Sequence, residues 1–513
     1  MKRTLSVVTR TAPLVVSTAL LVAACGSGGG AQSVAEQPAA PQNQAPSTDA
    51  APAVPAGGPA AADTKTSAGT AAAAPAAPAA PAAPAAKPAK VAAVAPAKSA
   101  AKAVQAESSA ADKAANQKVY DQKNGATDVG VSKDEIKLGS VTMHGMALGN
   151  VIAEPVVRGN FAALSAVNDR GGVLGRRLSI TDCDDGPGEV SRAKACIKKL
   201  VGQDHIFSMV TAIDWATASL HDDLKQYHLP YVGTWAYSQT EWQDPYMFPT
   251  HMSMIHEAMA GAHWAANVVK PKTYGMICLT SPEMQLACAQ VQRIMDASGA
   301  KLVKKADISI SETSMSTEVL AMRAANPEHI IHYVINPATM SKFMIEAAQQ
   351  GYYPPKGISG NHLALEVLGS IFGKWPTGRY WTNTTYKMWG PEFMATMSKY
   401  ARGNRGTNHH IVQAGYVAIN VFAEAAKVVG PNLTRDRLVA ALGNGTVWTA
   451  DASLDQRFSY AAAERTGDNW SHDMGQGREF MYRYDSTNTV SSPDGTPTGY
   501  SPDPGQFVIY TWK

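Results

Sequence analysis

The chain has 513 residues, 45% of them hydrophobic but only 7% aromatic and 17% charged. The shortfall is concentrated in residues 31–115, almost wholly Ala, Pro, Ser, Lys and Gln, with no aromatic and no apolar side chain larger than Val, which excludes a packed core there. Ten of the 45 basic and five of the 42 acidic residues fall in residues 1–118, so the remaining 35 basic and 37 acidic residues give the rest of the chain a net charge of −2, and a basic nucleic-acid footprint is excluded.

The N-terminus reads as an export signal. Lys2, Arg3 and Arg10 form a positive segment, followed by an apolar run from Ala12 to Ala24. That run is too short to span a bilayer as a helix but suits the apolar core of a signal peptide. It ends in Val22-Ala23-Ala24-Cys25-Gly26, which resembles the cleavage box of bacterial lipoproteins, in which the Cys is lipidated and becomes the new N-terminus. The expectation is a lipoprotein signal peptide over residues 1–24, an anchor on Cys25, and a disordered Ala/Pro-rich tether over 25–118. Ala-Ala-Pro repeats from Ala74 to Ala86 favour extended polyproline conformations, so a fully extended tether would reach roughly 280 Å at about 3.1 Å per residue.

From residue 119 onward strands and helices alternate. Ile136–Val141 alternates with period two, and Pro155–Asn168 has apolar residues at helical spacing and ends at Gly171-Gly172. Strands are predicted at Arg177–Thr181, Phe207–Val210, Leu229–Gly233, Tyr274–Leu279 and His329–Ile335. Helices are predicted at Val190–Val201, Ala218–Tyr227, Met254–Val269, Gln285–Ala297, Thr317–Ala325 and Thr339–Gln350. This alternation predicts parallel sheets covered by helices on both faces, and the chain length predicts two such sheets. Near the C-terminus, Phe480–Tyr484 and Phe507–Trp512 are aromatic strands flanking a Pro/Gly/Ser loop and predict an antiparallel pair. His256 and His263 lie seven apart with no partner at four, which predicts a solvated helix face rather than a metal site.

With Cys25 lipidated, Cys183, Cys196, Cys278 and Cys288 remain, an even number in an exported chain. Three connectivities are possible, and spacing favours Cys183 with Cys196 and Cys278 with Cys288.

Asn168-Asp169-Arg170-Gly171-Gly172-Val173-Leu174-Gly175-Arg176-Arg177 resembles the signature of the leucine/isoleucine/valine-binding proteins of ABC transporters. Ile136–Val141 resembles their first strand, and Asp184-Asp185 with the helix after it their second unit. Ala414-Gly415-Tyr416-Val417-Ala418, Pro431–Arg435 and Leu438–Leu442 continue the likeness, which covers about residues 130–445. The resemblance implies a type I periplasmic-binding fold: two doubly wound lobes, three hinge crossings and a ligand in the cleft between them. Lobe one would take residues 130–253 plus a later return segment. Lobe two would take residues 254–387 plus the C-terminal strands.

The resemblance also places the cleft-lining loops, and the ligand-binding candidates there are Asp214, Trp215, Trp235, Tyr237, Asn336 and His362. Asp214 stands where the family has a hydroxyl for the ligand carboxylate, Trp235 and Tyr237 where it has small residues and Thr, and His362 where it has the Glu that binds the α-ammonium. Asp214 either caps the following helix or meets a ligand. These replacements point away from a branched-chain amino acid and toward a ligand with an amine, ammonium or amide group on a planar or apolar body. No nucleophile elbow, phosphate-cradling Gly loop, metalloprotease helix, zinc spacing or cofactor motif is present, so no enzyme activity is expected. The expected function is solute capture on the outer side of a bacterial membrane and delivery to ABC permease subunits. The alternative is a tethered sensor or wall-associated interaction protein of the same fold without transport.

Overall fold

The structure, a computed structural model, describes residues 125–508 apart from 146–148, 212–215, 236–237, 252, 334–336, 361–378, 386, 388–389, 402–410, 447, 452–453, 455–457, 461–478 and 485–499. Cys25 and the expected signal and tether segments lie outside the described residues.

The first half builds one five-stranded sheet. In chain order it contains β1 (Glu135–Thr142), α1 (Gly149–Asp169), β2 (Arg177–Asp184), α2 (Val190–Gly202), β3 (Ser208–Val210), a 3₁₀ turn (Thr217–Leu220), α3 (His221–Tyr227), β4 (Tyr231–Val232), α4 (Gln239–Gln243) and β5 (Met247–Phe248). The strand order is β2-β1-β3-β4-β5, and every neighbouring pair is parallel. Alternate residues of the sheet face different layers. Ile136, Leu138, Val210 and Val232 belong to one buried cluster with Val156 and Val167 of α1. Val141, Met209, Tyr231 and Met247 belong to another with Ile197 and Leu200 of α2 and Leu224 of α3. Helices thus cover both faces, as a buried parallel sheet requires.

The second half builds a seven-stranded sheet of order β12-β11-β10-β9-β8-β6-β7. Its elements are α5 (Met254–Trp264), β6 (Thr273–Leu279), α6 (Pro282–Ala297), β7 (Lys301–Ile308), α7 (Ser316–Ala325), β8 (His329–Tyr333), α8 (Pro337–Gln349), β9 (Ile358–Gly360) and β10 (Tyr380–Thr384), with β11 (Glu479–Tyr484) and β12 (Tyr500–Val508) added from the C-terminus. The strands from β7 to β10 are mutually parallel; β11 pairs antiparallel with β10, and β12 with β11. The antiparallel pair is as predicted, but its second strand starts at Tyr500 rather than Phe507. Pro502 and Pro504 read as loop in sequence, yet β12 is an edge strand, the one place in a sheet where a missing N–H is tolerated.

Between β10 and β11 the chain returns to the first sheet through α9 (Pro391–Tyr400), α10 (Val412–Val429) and α11 (Arg435–Leu442). α10 packs along α1 and reaches β3 and β4, and α9 also packs on α1. The α1–α10 crossing is nearly backbone on backbone. A Cβ on Gly159 would collide with the carbonyl oxygen of Val412, and one on Gly415 with the carbonyl oxygen of Val156. α1 begins at Gly149 rather than at Pro155, which lies inside it. The Pro155 nitrogen cannot donate to the carbonyl of Val151, so a single main-chain bond is lost and the helix continues.

The start of the described chain is clamped at the amino ends of the first sheet's strands. Buried Arg176 donates from Nε to the Ser132 carbonyl (2.9 Å) and from one terminal nitrogen to those of Gly125 (3.0 Å) and Pro431 (2.9 Å). Arg435 donates to the carbonyls of Phe207, Tyr227 and Ile206 at 2.7–3.0 Å. Its own N–H donates to Asp128 Oδ2 at 2.7 Å. Burial lowers both guanidinium pKa values, and each is compensated by these carbonyls.

Two disulfides, Cys183–Cys196 and Cys278–Cys288, are the pairs that spacing favours. Each ties the carboxyl end of a strand, β2 or β6, to the helix that follows it.

Replacing either disulfide by a pair of Ser residues removes a constraint on the unfolded chain and is expected to cost about 3 kcal/mol, read as a lower urea midpoint. Gly159→Ala and Gly415→Ala push the two helices apart and are each expected to cost about 1–3 kcal/mol in the same assay; an unchanged midpoint would contradict the crossing described above.

Candidate functional site

In both sheets the strand order reverses beside the first strand: β2 lies on one side of β1 and β3 on the other, and β7 and β8 flank β6 in the same way. Such switch points open a crevice beyond the strands' carboxyl ends, where ligands of open α/β sheets bind. The loops after β1, β3, β4, β5, β8 and β9 therefore define the candidate cleft.

Of the six predicted ligand residues, Asp214, Trp215, Tyr237, Asn336 and His362 lie outside the described residues. Trp235 is described. It follows β4, is 8% exposed, and lies face to face on His251, with ring centroids 4.3 Å apart and 13° between planes. One face of the indole is thus taken by an imidazole from the loop after β5. Sequence reasoning gave His251 no role, because nothing in the spacing of Trp235 and His251 marks a contact between loops on either side of a helix.

His251 lies on the first passage from one sheet to the other, between β5 and α5. Its ring nitrogens are 3.3 and 3.4 Å from Oγ1 of Thr385, on the second passage after β10. His251 and Thr385 are both buried. Further bonds tie the passages together. Tyr460 Oη donates to the Pro249 carbonyl at 2.7 Å, Gln413 Nε2 to the Lys387 carbonyl at 2.9 Å, and the Lys387 N–H to the Leu454 carbonyl at 3.3 Å.

The histidines of α5 depart from the sequence expectation. His256 is buried rather than solvated. Its N–H donates to the N-cap hydroxyl of Ser253 at 3.0 Å, its Nδ1 lies 2.7 Å from the same oxygen, and its ring is 5.1 Å from that of Trp242. α5 is buried on nearly all sides, because it sits between the second sheet and α6 and also carries the chain in from the first sheet. His263 is partly buried, and desolvation lowers its pKa, with the Arg293 charge acting in the same direction. Next to His256 in the chain, the Glu257 carbonyl accepts from Asn383 Nδ2 at 2.7 Å, binding α5 to β10.

At the carboxyl ends of β1 and β2, Asp182 accepts from Ser140 Oγ, from Thr142 Oγ1 at 2.7 Å and from His144 Nε2 at 3.0 Å. The His144 N–H donates to Asp184 Oδ1 at 3.0 Å. His144 is therefore held by two carboxylates, its half-buried imidazole by Asp182 and its main chain by Asp184. Trp381 packs against Trp264 and His329.

β8 carries two fully buried histidines. His329 is bonded to the Lys356 carbonyl (3.0 Å) and Ser359 Oγ (2.9 Å), and desolvation lowers its pKa to about 4. His332 lies against Phe343, and desolvation lowers its pKa to about 3. Among the described residues no group of three or more His, Cys, Asp and Glu is placed to hold a metal ion, and no helix is long and apolar enough to cross a membrane.

A family model described as periplasmic binding protein matches residues 135–471, and the chain belongs to that family. No curated protein sequence matches the chain. Among solved structures, it is similar to a fatty acid ABC transporter substrate-binding protein from Thermomonospora curvata. That match has 14% identity and a TM-score of 0.57, covering 75% of this chain and 98% of that one. It is also similar to an ABC transporter solute-binding protein from R. palustris in complex with 4-hydroxybenzoate, with 14% identity, a TM-score of 0.59, and coverage of 69% and 94%. A third is the branched-chain amino acid transporter substrate-binding protein of Streptococcus pneumoniae in complex with isoleucine, with 13% identity, a TM-score of 0.55, and coverage of 69% and 97%. At these identities the likeness shows a shared fold, the type I periplasmic-binding fold of two parallel-sheet lobes.

The buried histidines of β8 set an acid limit. Unfolded histidine binds its proton near pH 6.5, whereas folded His329 stays neutral down to about pH 4 and His332 to about pH 3. Their contribution is complete above pH 6.5 and is lost as pH falls toward those values, on the order of 3 kcal/mol for His329. Urea unfolding from pH 7 to pH 4 is expected to show this loss, and His332→Phe is expected to flatten it.

Proposed function

We propose that the protein is an extracytoplasmic solute-binding lipoprotein that captures a small molecule between its two lobes and delivers it to an ABC importer. The observation that carries this reading is the indole of Trp235 at the carboxyl end of β4, stacked on His251 of the first passage between the lobes. There Trp235 stands over the interlobe passages of a periplasmic-binding fold, where a solute bridging the lobes would meet it. The sequence Val22-Ala23-Ala24-Cys25 supports a lipid anchor on the outer side of a bacterial membrane, and residues 25–118 support a tether. The lobes close on binding, and the closed form is what the permease subunits recognise.

The ligand we propose carries an amine, ammonium or amide group on a planar or apolar body. Asp214 gives the loop after β3 an acid that repels a carboxylate and pairs with a cation. Trp235, with Tyr237 two residues on and Trp215 in the loop after β3, supplies faces for a planar body. Asn336 and His362 bring neutral hydrogen-bonding groups from the loops of the second lobe. The alternative of a tethered sensor without transport uses the same cleft, and uptake into vesicles carrying the cognate permease distinguishes the two.

Calorimetry against benzylamine, benzamide, benzoate and leucine tests the ligand class. Benzylamine or benzamide is expected to bind, with affinity falling roughly tenfold or more in Asp214→Asn and in Trp235→Ala. Tight binding of benzoate or leucine, or an affinity indifferent to Asp214→Asn, would overturn the assignment.

A further inference from the structure

The amino ends of the second sheet carry a row of charge that the first sheet lacks. Across the sheet in the order β7, β6, β8, β9 and β10, a charged residue opens each strand or stands within two positions before it: Lys301, Lys272, Glu328, Lys356 and Arg379. Neighbouring strands lie about 4.8 Å apart, so the row spans roughly 19 Å. Main-chain bonds hold its members side by side. The Lys301 N–H donates to the Lys272 carbonyl at 2.9 Å, the Lys356 N–H to the Glu328 carbonyl at 2.7 Å, and the Ile358 N–H to the Arg379 carbonyl at 2.9 Å. Lys270 joins the row, because Lys356 Nζ donates to its carbonyl at 2.8 Å.

Lys270, Lys272, Lys301 and Arg379 are exposed. Among the described residues, Lys356 is the member of the row that closes an ion pair, 2.8 Å from Glu328. Glu328 also accepts the Lys272 N–H at 2.8 Å, so the acid of the row is engaged within it. Asp296, the other acid at this pole, accepts from Tyr274 Oη at 3.2 Å. Five cations thus stand beside two acids. At the same level of the first sheet, Arg177 and Lys133 are offset by Asp134 and Glu135, and buried Arg176 is bonded to carbonyls. Lys270 caps the helical turn Ala265–Val269, where a helix dipole favours a cation. That reason does not extend to the strand starts, because a sheet has little net dipole to offset. Like charges set side by side repel, and a counter-charge from outside the chain relieves the repulsion.

We infer that the amino pole of the second sheet is a docking face for an anionic membrane surface. A small anion calls for donors that converge in a concave site, whereas these cations stand side by side and four of them are exposed. A layer of lipid phosphates meets such a row without a cavity, and each Lys or Arg near the surface adds to the attraction. The lipid anchor proposed above keeps that surface within reach, and the inference rests on that part of the reading. A tether of roughly 280 Å when extended lets the domain turn, so that this pole can meet the membrane. Docked in this way, the second sheet points its carboxyl-end loops, which help define the candidate cleft, away from the membrane. The docked form is then a resting orientation that the domain leaves in order to deliver solute.

The test uses the full chain held by its amino end in lipid vesicles, with a donor dye on Ala297→Cys at the end of α6 and an acceptor dye on the lipid. A lipid on Cys25 or the apolar run Ala12–Ala24 holds the chain equally well, so the readout does not depend on which of them does. Energy transfer is expected to be strong in vesicles rich in phosphatidylglycerol, weak in phosphatidylcholine, and lost in roughly 0.5 M salt, where charge is screened within a few ångström. Lys272→Glu combined with Lys301→Glu is expected to lower the ratio of docked to free domain about tenfold or more on phosphatidylglycerol, with the urea midpoint unchanged. Lys198→Glu with Lys225→Glu makes the same change of charge on exposed lysines of α2 and α3 in the first lobe and is expected to leave that ratio within about twofold. Equal transfer in the two lipids, or a ratio that the first pair leaves unchanged or the second pair lowers as much, would overturn the docking face. So would capture of soluble polyphosphate by the row without docking on phosphatidylglycerol. No solute is added, so failure here is separate from failure of the ligand class, which is read by calorimetry, and of the lipid anchor, which is read from the mass of the peptide that carries Cys25.

Discussion

The close crossing of α1 and α10 is the constraint on which the two-lobed architecture depends. The chain completes the first sheet, leaves to build the second, and must come back. What it comes back to is a groove on α1 deep enough for main chain to meet main chain at Gly159 and Gly415. A Cβ at either point would separate the helices. Because α10 returns, its neighbours α9 and the segment after α11 return too, and the number of passages between the lobes follows. The hinge is therefore a consequence of helix packing in one lobe, not of any linker sequence between the two.

Much of this was legible in sequence wherever one physical signal dominated. Long elements with a full buried stripe, such as α2, α6 and β6, stand out by periodicity, and the disulfide pairs follow from short separations in a chain read as exported. What was missed has particular causes. β5 is only two residues long and is held by its neighbour rather than by its own pattern. β7 runs Lys-Leu-Val-Lys-Lys-Ala-Asp-Ile at a sheet edge, where exposed Lys301 and half-buried Lys304 and Lys305 blur the alternation. β12 hides behind two prolines that only an edge strand accepts. α5 was misjudged on its polar face, because burial of His256 is imposed by the passage it begins and not by its sequence.

The candidate site divides along the same line. That Trp235, a large aromatic in a strand-end loop, needs something to cover it was readable. Its partner was not. His251 comes from the next loop, and the contact exists only because β4 and β5 are adjacent and parallel, which brings their carboxyl-end loops to one place. The His144–Asp182 pairing is of the same kind, created by the register that sets Thr142 opposite Asp184.

The two buried arginines have a mechanical consequence. Arg176 and Arg435 fasten residues 125–135 to the amino ends of the first lobe's strands, at the pole away from the cleft. The chain upstream of residue 125 thus enters the domain there. Any tension carried along that upstream chain passes into the first lobe through a cluster of charged-to-carbonyl bonds in parallel. It bypasses the passages between the lobes. A load applied to that upstream chain would therefore reach the first lobe without first crossing to the second.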